Sequence, residues 1–177
     1  MRSEILFGPS RKDVVVFPQT GTWIVEIIEG AEVRLRSGRI GLLSVDVRAP
    51  VVRGAFQLSD QQIQLDLELA LDQLRTSAFL LQGAARSLVA RHHATTLQYR
   101  GLGKATQPWV IQGPATAGDV RVDLTLNVSQ WQPGADALGL ELIGSANVGT
   151  VHLPLPGMGT VEDFSFDVDA RLALGAQ

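Results

Sequence analysis

The chain has 177 residues, of which 45% are hydrophobic and 19% charged, and its formal net charge is −3 at pH 7. These values are typical of a globular protein and exclude an intrinsically disordered chain or one built from membrane-spanning helices. Cysteine is absent, which excludes disulfides, thiolate metal sites and cysteine nucleophiles. The negative charge also argues against a nucleic-acid partner, because such proteins usually carry a basic patch.

The length of the chain predicts a single domain over residues 1–177. The first residues, MRSEILFGPSRKDV, contain no apolar run of the length that a secretory signal requires. We therefore expect a cytoplasmic protein without stable membrane insertion. A homodimer is compatible with this sequence.

The first half of the chain alternates apolar and polar residues, which is typical of half-buried β-strands. Short examples are GTWIVEII, EVRLR and SVDVRAPVVRGAF. The longest uninterrupted alternation in this half lies in QIQLDLELALD, in which Ile63 and four leucines occupy every second position up to Leu71. A helix would scatter these side chains around its circumference, so the order of residues predicts a strand although most of them favour helices.

One segment, TSAFLLQGAARSLVAR, changes to the spacing of a helix. Its apolar residues recur three and four positions apart, and Thr76 or Ser77 is the predicted N-cap. Gly83 weakens the segment by about 1 kcal/mol relative to alanine. The helix is therefore expected to depend on packing against the sheet.

Alternation resumes after the helix at TTLQYRG, DVRVDLTLNVS and ALGLELIGSA, and finally at EDFSFDVDARLAL. GTVHLPL is predicted as a separate short strand interrupted by Pro154 and Pro156. Turn residues separate these segments, and eight or nine strands in succession predict an antiparallel barrel or sandwich. A closed eight-stranded barrel is favoured because closure hides one apolar face and leaves no exposed edges.

The apolar positions of these strands are predicted to face the interior of the barrel and to line one continuous lumen. The predicted set is Trp23, Val25, Ile63, Leu65, Leu67, Leu69, Val122, Leu124, Leu126, Phe164, Phe166 and Val168. An eight-stranded barrel has the size at which side chains either fill the interior or leave space for one small ligand.

No catalytic or metal-binding motif is recognised. RGLGKAT lacks the first glycine of a phosphate loop and has Ala105 where Ser or Thr should follow Lys104. His92 and His93 are adjacent and give no ligand spacing, and the carboxylates lie on the polar side of the alternation. We predict no catalytic residue, metal or cofactor.

Several short stretches, in order, resemble the YceI-like family of lipocalin-like, polyisoprenoid-binding barrel proteins, of which the chain would be a divergent member. The family's W-x-I-D and V-x-G-x-F motifs resemble WIVE and VRGAF, and its motifs around the helix resemble LRT and ATTLQY. The matched stretches are residues 23–26, 52–56, 74–76, 94–99 and 110–118, followed by a closing strand at 161–174.

The resemblance implies an eight-stranded antiparallel barrel with a core at about residues 21–174. Its lumen-lining residues would bind a polyisoprenoid, a quinone tail or a fatty amide without catalysing a reaction. The family's early histidine and serine are replaced by Gly30 and Ala31, so polar contacts to a head group are not implied. Two alternatives stay open: a structural barrel filled by its own side chains, and an enzyme on a barrel scaffold, for which no catalytic constellation is present.

Overall fold

The computed structural model describes residues 20–25, 31–40, 43–133, 137–155 and 158–176. They form ten strands and one helix. The strands are β1 Gly21–Val25, β2 Glu32–Ile40, β3 Leu43–Leu58, β4 Gln62–Ala70, β5 Arg75–Thr76, β6 Thr96–Lys104, β7 Val110–Ala117, β8 Val120–Pro133, β9 Ala137–Leu155 and β10 Met158–Ala176, and the helix α1 is Phe79–Arg91. No helix in these ranges is long and apolar enough to cross a membrane.

Eight strands close into an antiparallel barrel, which confirms the predicted fold class. The order around the barrel is β10, β2, β3, β4, β6, β7, β8 and β9, and β9 pairs back with β10. β1 continues the line of β2, because it also lies between β10 and β3. With no break in the circle, the sheet has one inner face and one outer face.

The alternating pattern determines which side chains face the interior. In β4 the side chains of Ile63, Leu65, Leu67 and Leu69 are buried, whereas the residues between them are partly exposed. Ion pairs join neighbouring strands across the outer face, such as Arg100 Nε to Asp66 Oδ1 at 2.8 Å. The polar half of each alternating stretch therefore covers the outside of the barrel.

Two local predictions about strands and caps were wrong. Pro154 does not interrupt a separate strand, because it lies within β9, a strand of 19 residues. β8 pairs with β9 only as far as Ser145, so a proline beyond that point removes no hydrogen bond to β8. The N-cap of α1 is Ala78, while Thr76 belongs to β5 and pairs with Val47 of β3.

Helix α1 is attached to opposite sides of the barrel. Its N-terminus follows β5, which pairs with β3, and its body packs against β9. At its C-terminus, His92 Nδ1 lies 2.8 Å from Oδ1 of Asp119 in the turn between β7 and β8. In the circle of eight strands, β3 and β8 lie opposite each other, so α1 runs across one end of the barrel.

Candidate functional site

The half of the barrel remote from α1 is filled by its own side chains, and we call it the packed half. Phe56 and Trp109 meet there with ring centroids 6.0 Å apart. The same half contains fully buried aliphatic side chains from four strands, namely Ile63, Leu65, Ile111, Leu138, Leu140 and Leu174. Fully buried side chains in mutual contact are typical of an ordinary hydrophobic core.

The half nearer α1 contains a cavity of about 50 Å³, and we call it the hollow half. Seven of the predicted interior residues line this cavity: Leu67, Leu69, Val122, Leu124, Leu126, Phe166 and Val168. Because they come from β4, β8 and β10, closure of the barrel brings together segments far apart in the chain.

Five of the predicted residues lie elsewhere or outside the description. Ile63 and Leu65 are buried in the packed half and do not line the cavity. Phe164 is half-buried beside Phe166, with ring centroids 6.4 Å apart, and does not line the cavity, because the pairing of β10 with β2 begins at Phe166. The side chains of Trp23 and Val25 lie outside the part of the chain that the structure describes.

The sequence did not identify the remaining residues of the cavity wall, which are Val33, Leu35, Leu97, Tyr99, Ala115, Leu142, Ala146 and Ala170. Most of them lie in alternating stretches such as EVRLR and TTLQYRG, so alternation was the signal that could have found them. Ala146 continues the alternation of ALGLELIGSA, whereas Ala115 carries no such signal. Ala115 reaches the cavity through the register of β7 with β8.

The rim of the hollow half retains contact with solvent at the end of the barrel where α1 lies. Leu35, Leu97, Val122 and Phe166 are each only half-buried, although their side chains line the cavity. Each of these four occupies the lining position of its strand nearest that end of the barrel. They define what we call the mouth.

Over the described ranges, the cavity wall is hydrocarbon except for one hydroxyl group. That hydroxyl belongs to Tyr99, is buried, and donates a hydrogen bond to the carbonyl oxygen of Ile111 at 3.1 Å. Burial raises the pKa of Tyr99, so the phenol remains protonated. Among the described residues, no buried side-chain nitrogen or oxygen lacks a partner. The wall can therefore attract a ligand only by removing apolar surface from water.

No set of three His, Asp or Glu side chains is close enough to hold a metal ion within the described ranges. His92 pairs with Asp119 at the surface, and His93 is exposed in the turn after the helix. These contacts account for the local structure of the turn between α1 and β6. They bring no polar group to the cavity wall.

Comparison with known proteins yields a structural likeness. No family model matches the chain, and no curated protein matches it significantly. A solved structure described as a polyisoprenoid binding domain from Saccharophagus degradans, implicated in plant cell wall breakdown, superposes with a TM-score of 0.55. It is 11% identical, and the match covers 90% of this chain and 100% of that chain. The chain therefore shares the fold of that binding domain, a closed antiparallel barrel with one short helix.

Proposed function

We propose that the barrel binds the hydrocarbon chain of an amphiphile without catalysing a reaction. The free end of the hydrocarbon chain would pass through the mouth into the hollow half, and the head group of the amphiphile would stay at the rim. The observation that carries this proposal is an interior cavity whose wall is hydrocarbon apart from the Tyr99 hydroxyl and whose residues at the mouth are half-buried. Such a wall suits a ligand whose inserted part needs no hydrogen bond.

The structural neighbour supports the chemical class of this ligand. It is described as polyisoprenoid-binding, and its whole length matches this chain at the level of the fold. We therefore propose a polyisoprenoid, a quinone tail or a fatty amide as the bound molecule. Each methylene moved from water into the cavity contributes about 0.8 kcal/mol, which favours long chains over short ones.

The size of the cavity sets a condition on binding. A volume of about 50 Å³ is smaller than the cavity of about 150 Å³ that accommodates benzene in another protein. Insertion of a chain therefore requires side chains at the mouth to change rotamer. Leu35, Leu97 and Phe166 are the side chains that we expect to move, because they are half-buried and lie at the rim.

A second candidate is a structural barrel filled by its own side chains. The packed half and the small volume of the hollow half favour this candidate. The two candidates differ in one property, since a filled barrel would take up no chain. The cytoplasmic location and the absence of catalysis stay predictions from the sequence.

The first test uses Val122→Trp, which places a large ring at the mouth. We expect this variant to lose uptake of a prenyl alcohol, measured by native mass spectrometry, while its thermal unfolding temperature changes little. Overpacking of a closed core costs about 1–3 kcal/mol, but Val122 is half-buried beside free space. The parent protein, purified under gentle conditions, should carry or take up a hydrophobic chain.

Asp123→Trp is the matched control. Asp123 is the next residue in β8 and is exposed on the outer face, so the same ring is added outside the barrel. Uptake should then equal that of the parent. A parent protein that takes up no chain, together with a destabilised Val122→Trp variant, would establish the filled barrel instead.

A further inference from the structure

The boundary between the packed half and the hollow half lies at one level of the barrel. On β4 the boundary falls between Leu65 and Leu67, and on β6 it falls just beyond Tyr99. Leu67 and Tyr99 are directly paired across the two strands. The wall therefore changes from cavity to core at the level of the Tyr99 ring.

The Tyr99 side chain lies along its own strand and extends from the cavity towards the packed half. Its hydroxyl reaches the position above Gly101, where an added β-carbon would collide with that hydroxyl. Gly101 faces the interior, as Tyr99 does, because both are buried and lie two residues apart in β6. The missing side chain of Gly101 is what provides space for the phenol.

The ring is held in this position from several sides. The hydroxyl donates to the carbonyl oxygen of Ile111 in β7, and the side chain is only 3% exposed. Rotation of the ring out of this position would leave the hydroxyl without this partner in an apolar interior, which is unfavourable. Tyr99 therefore forms a rigid floor of the hollow half, whereas the side chains of the mouth are half-buried.

We infer that Tyr99, supported by Gly101, sets the depth to which a hydrocarbon chain enters the barrel and so selects chains by length. This inference rests on the proposed function. Carbons that fit between the mouth and the ring leave water, and carbons beyond that number stay outside at the rim. Affinity then increases by about fourfold for each added methylene until the chain end reaches Tyr99, and does not increase further.

The test measures the affinity of a series of straight-chain primary alcohols of increasing length, by displacement of a fluorescent fatty-acid probe. In the parent protein, affinity should rise with length and then level off. In Tyr99→Leu, which removes the ring but keeps an apolar side chain, the levelling should occur at a longer alcohol. Tyr99→Phe keeps the ring and serves as the control, with levelling at the same length as in the parent.

Gly101→Ala tests the same floor in the opposite direction. The added methyl group should displace the ring towards the mouth, so that affinity levels off at a shorter alcohol. Circular dichroism shows whether each variant is folded. If Gly101→Ala does not fold, the result for Tyr99→Leu alone tests the inference. Binding that levels off at one length in both the parent and Tyr99→Leu overturns the inference alone. A parent that binds no alcohol of any length overturns the proposed function, and the inference with it.

Discussion

Leu67 and Glu68 are neighbours in β4 that face opposite sides of the barrel wall. Leu67 is buried and lines the cavity, whereas Glu68 faces outwards and pairs with Arg53 at 3.2 Å. An unpaired carboxylate is unfavourable in an apolar interior, while an ion pair at the surface contributes little. The two positions therefore differ strongly in their tolerance to substitution.

Leu67→Asp should destabilise the protein by several kcal/mol or prevent folding, because it places an unpaired carboxylate in the interior. Glu68→Leu should change the free energy of unfolding by only about 0.5 kcal/mol. Urea denaturation of both variants measures the difference. The opposite ranking would mean that the faces of β4 are assigned wrongly.

Arg34 and Asp46 form a two-pronged ion pair between β2 and β3. Arg34 Nε donates to Asp46 Oδ1 at 2.9 Å, and Arg34 Nη2 donates a second hydrogen bond to Asp46 Oδ2. The hydrogen bond from Arg34 lowers the pKa of Asp46 below its ordinary value. A carboxyl group whose pKa is lowered by folding stabilises the protein above its ordinary pKa, and this contribution disappears as the pH falls through the lowered value.

Arg34→Met should therefore reduce stability at neutral pH, and the difference from the parent should shrink as the pH falls below about 4. Thermal unfolding from pH 7 to strongly acidic pH measures this trend. In an Asp46→Asn background, the same substitution should produce a difference that depends much less on pH, because the weaker coulombic interaction between Arg34 and Asp169 remains. A pH-independent difference in the parent background would show that the pair does not couple Asp46 to folding.

At the scale of elements, helix α1 is joined to the barrel by a side chain of its first turn instead of a conventional N-cap. Gln82 Nε2 donates to the carbonyl oxygen of Leu74 at 2.7 Å, and its Oε1 accepts from the Thr76 backbone at 3.0 Å. The Ala78 N-cap has no side-chain hydrogen bond. Gln82 therefore ties the start of the helix to β5 and, through β5, to β3.

Gln82→Ala should destabilise the protein by about 1–3 kcal/mol, since two hydrogen bonds to partly buried backbone groups are lost. Hydrogen exchange should increase in residues 74–91 more than in β4. Arg86→Ala alters an exposed residue of the same helix and should leave this exchange unchanged. Equal protection of residues 74–91 in Gln82→Ala and the parent would contradict the proposed role of Gln82.

At the scale of the whole molecule, closure depends on how strands share positions in the circle. β1 and β2 together occupy one position between β10 and β3, and the pairing of β9 with β10 completes the circle. Beyond Ser145, β9 pairs only with β10, so these two strands continue past the end of the closed wall. This two-stranded extension depends on the lengths of both β9 and β10, so it cannot be recognised in the sequence of either strand alone.

The fold class and the side of the sheet to which each side chain points could be predicted from the sequence alone. Alternation in QIQLDLELALD and DVRVDLTLNVS places Leu67 and Leu124 inside, because the period of a strand assigns every second side chain to one face. The same argument placed the carboxylates outside. It needs only local information, which explains why it succeeded for most strands.

The position of each inward-facing residue along the barrel axis, in the packed half or in the hollow half, follows from the tertiary structure and could not be predicted from the sequence. Alternation treats Leu65 and Leu67 alike, yet Leu65 belongs to the packed half and Leu67 to the cavity wall. Depth depends on the stagger between strands and on bulky neighbours from other strands, such as Tyr99 of β6, which pairs with Leu67 of β4. These relations join residues distant in sequence, so the division of the barrel into two halves becomes defined only when the circle of strands closes.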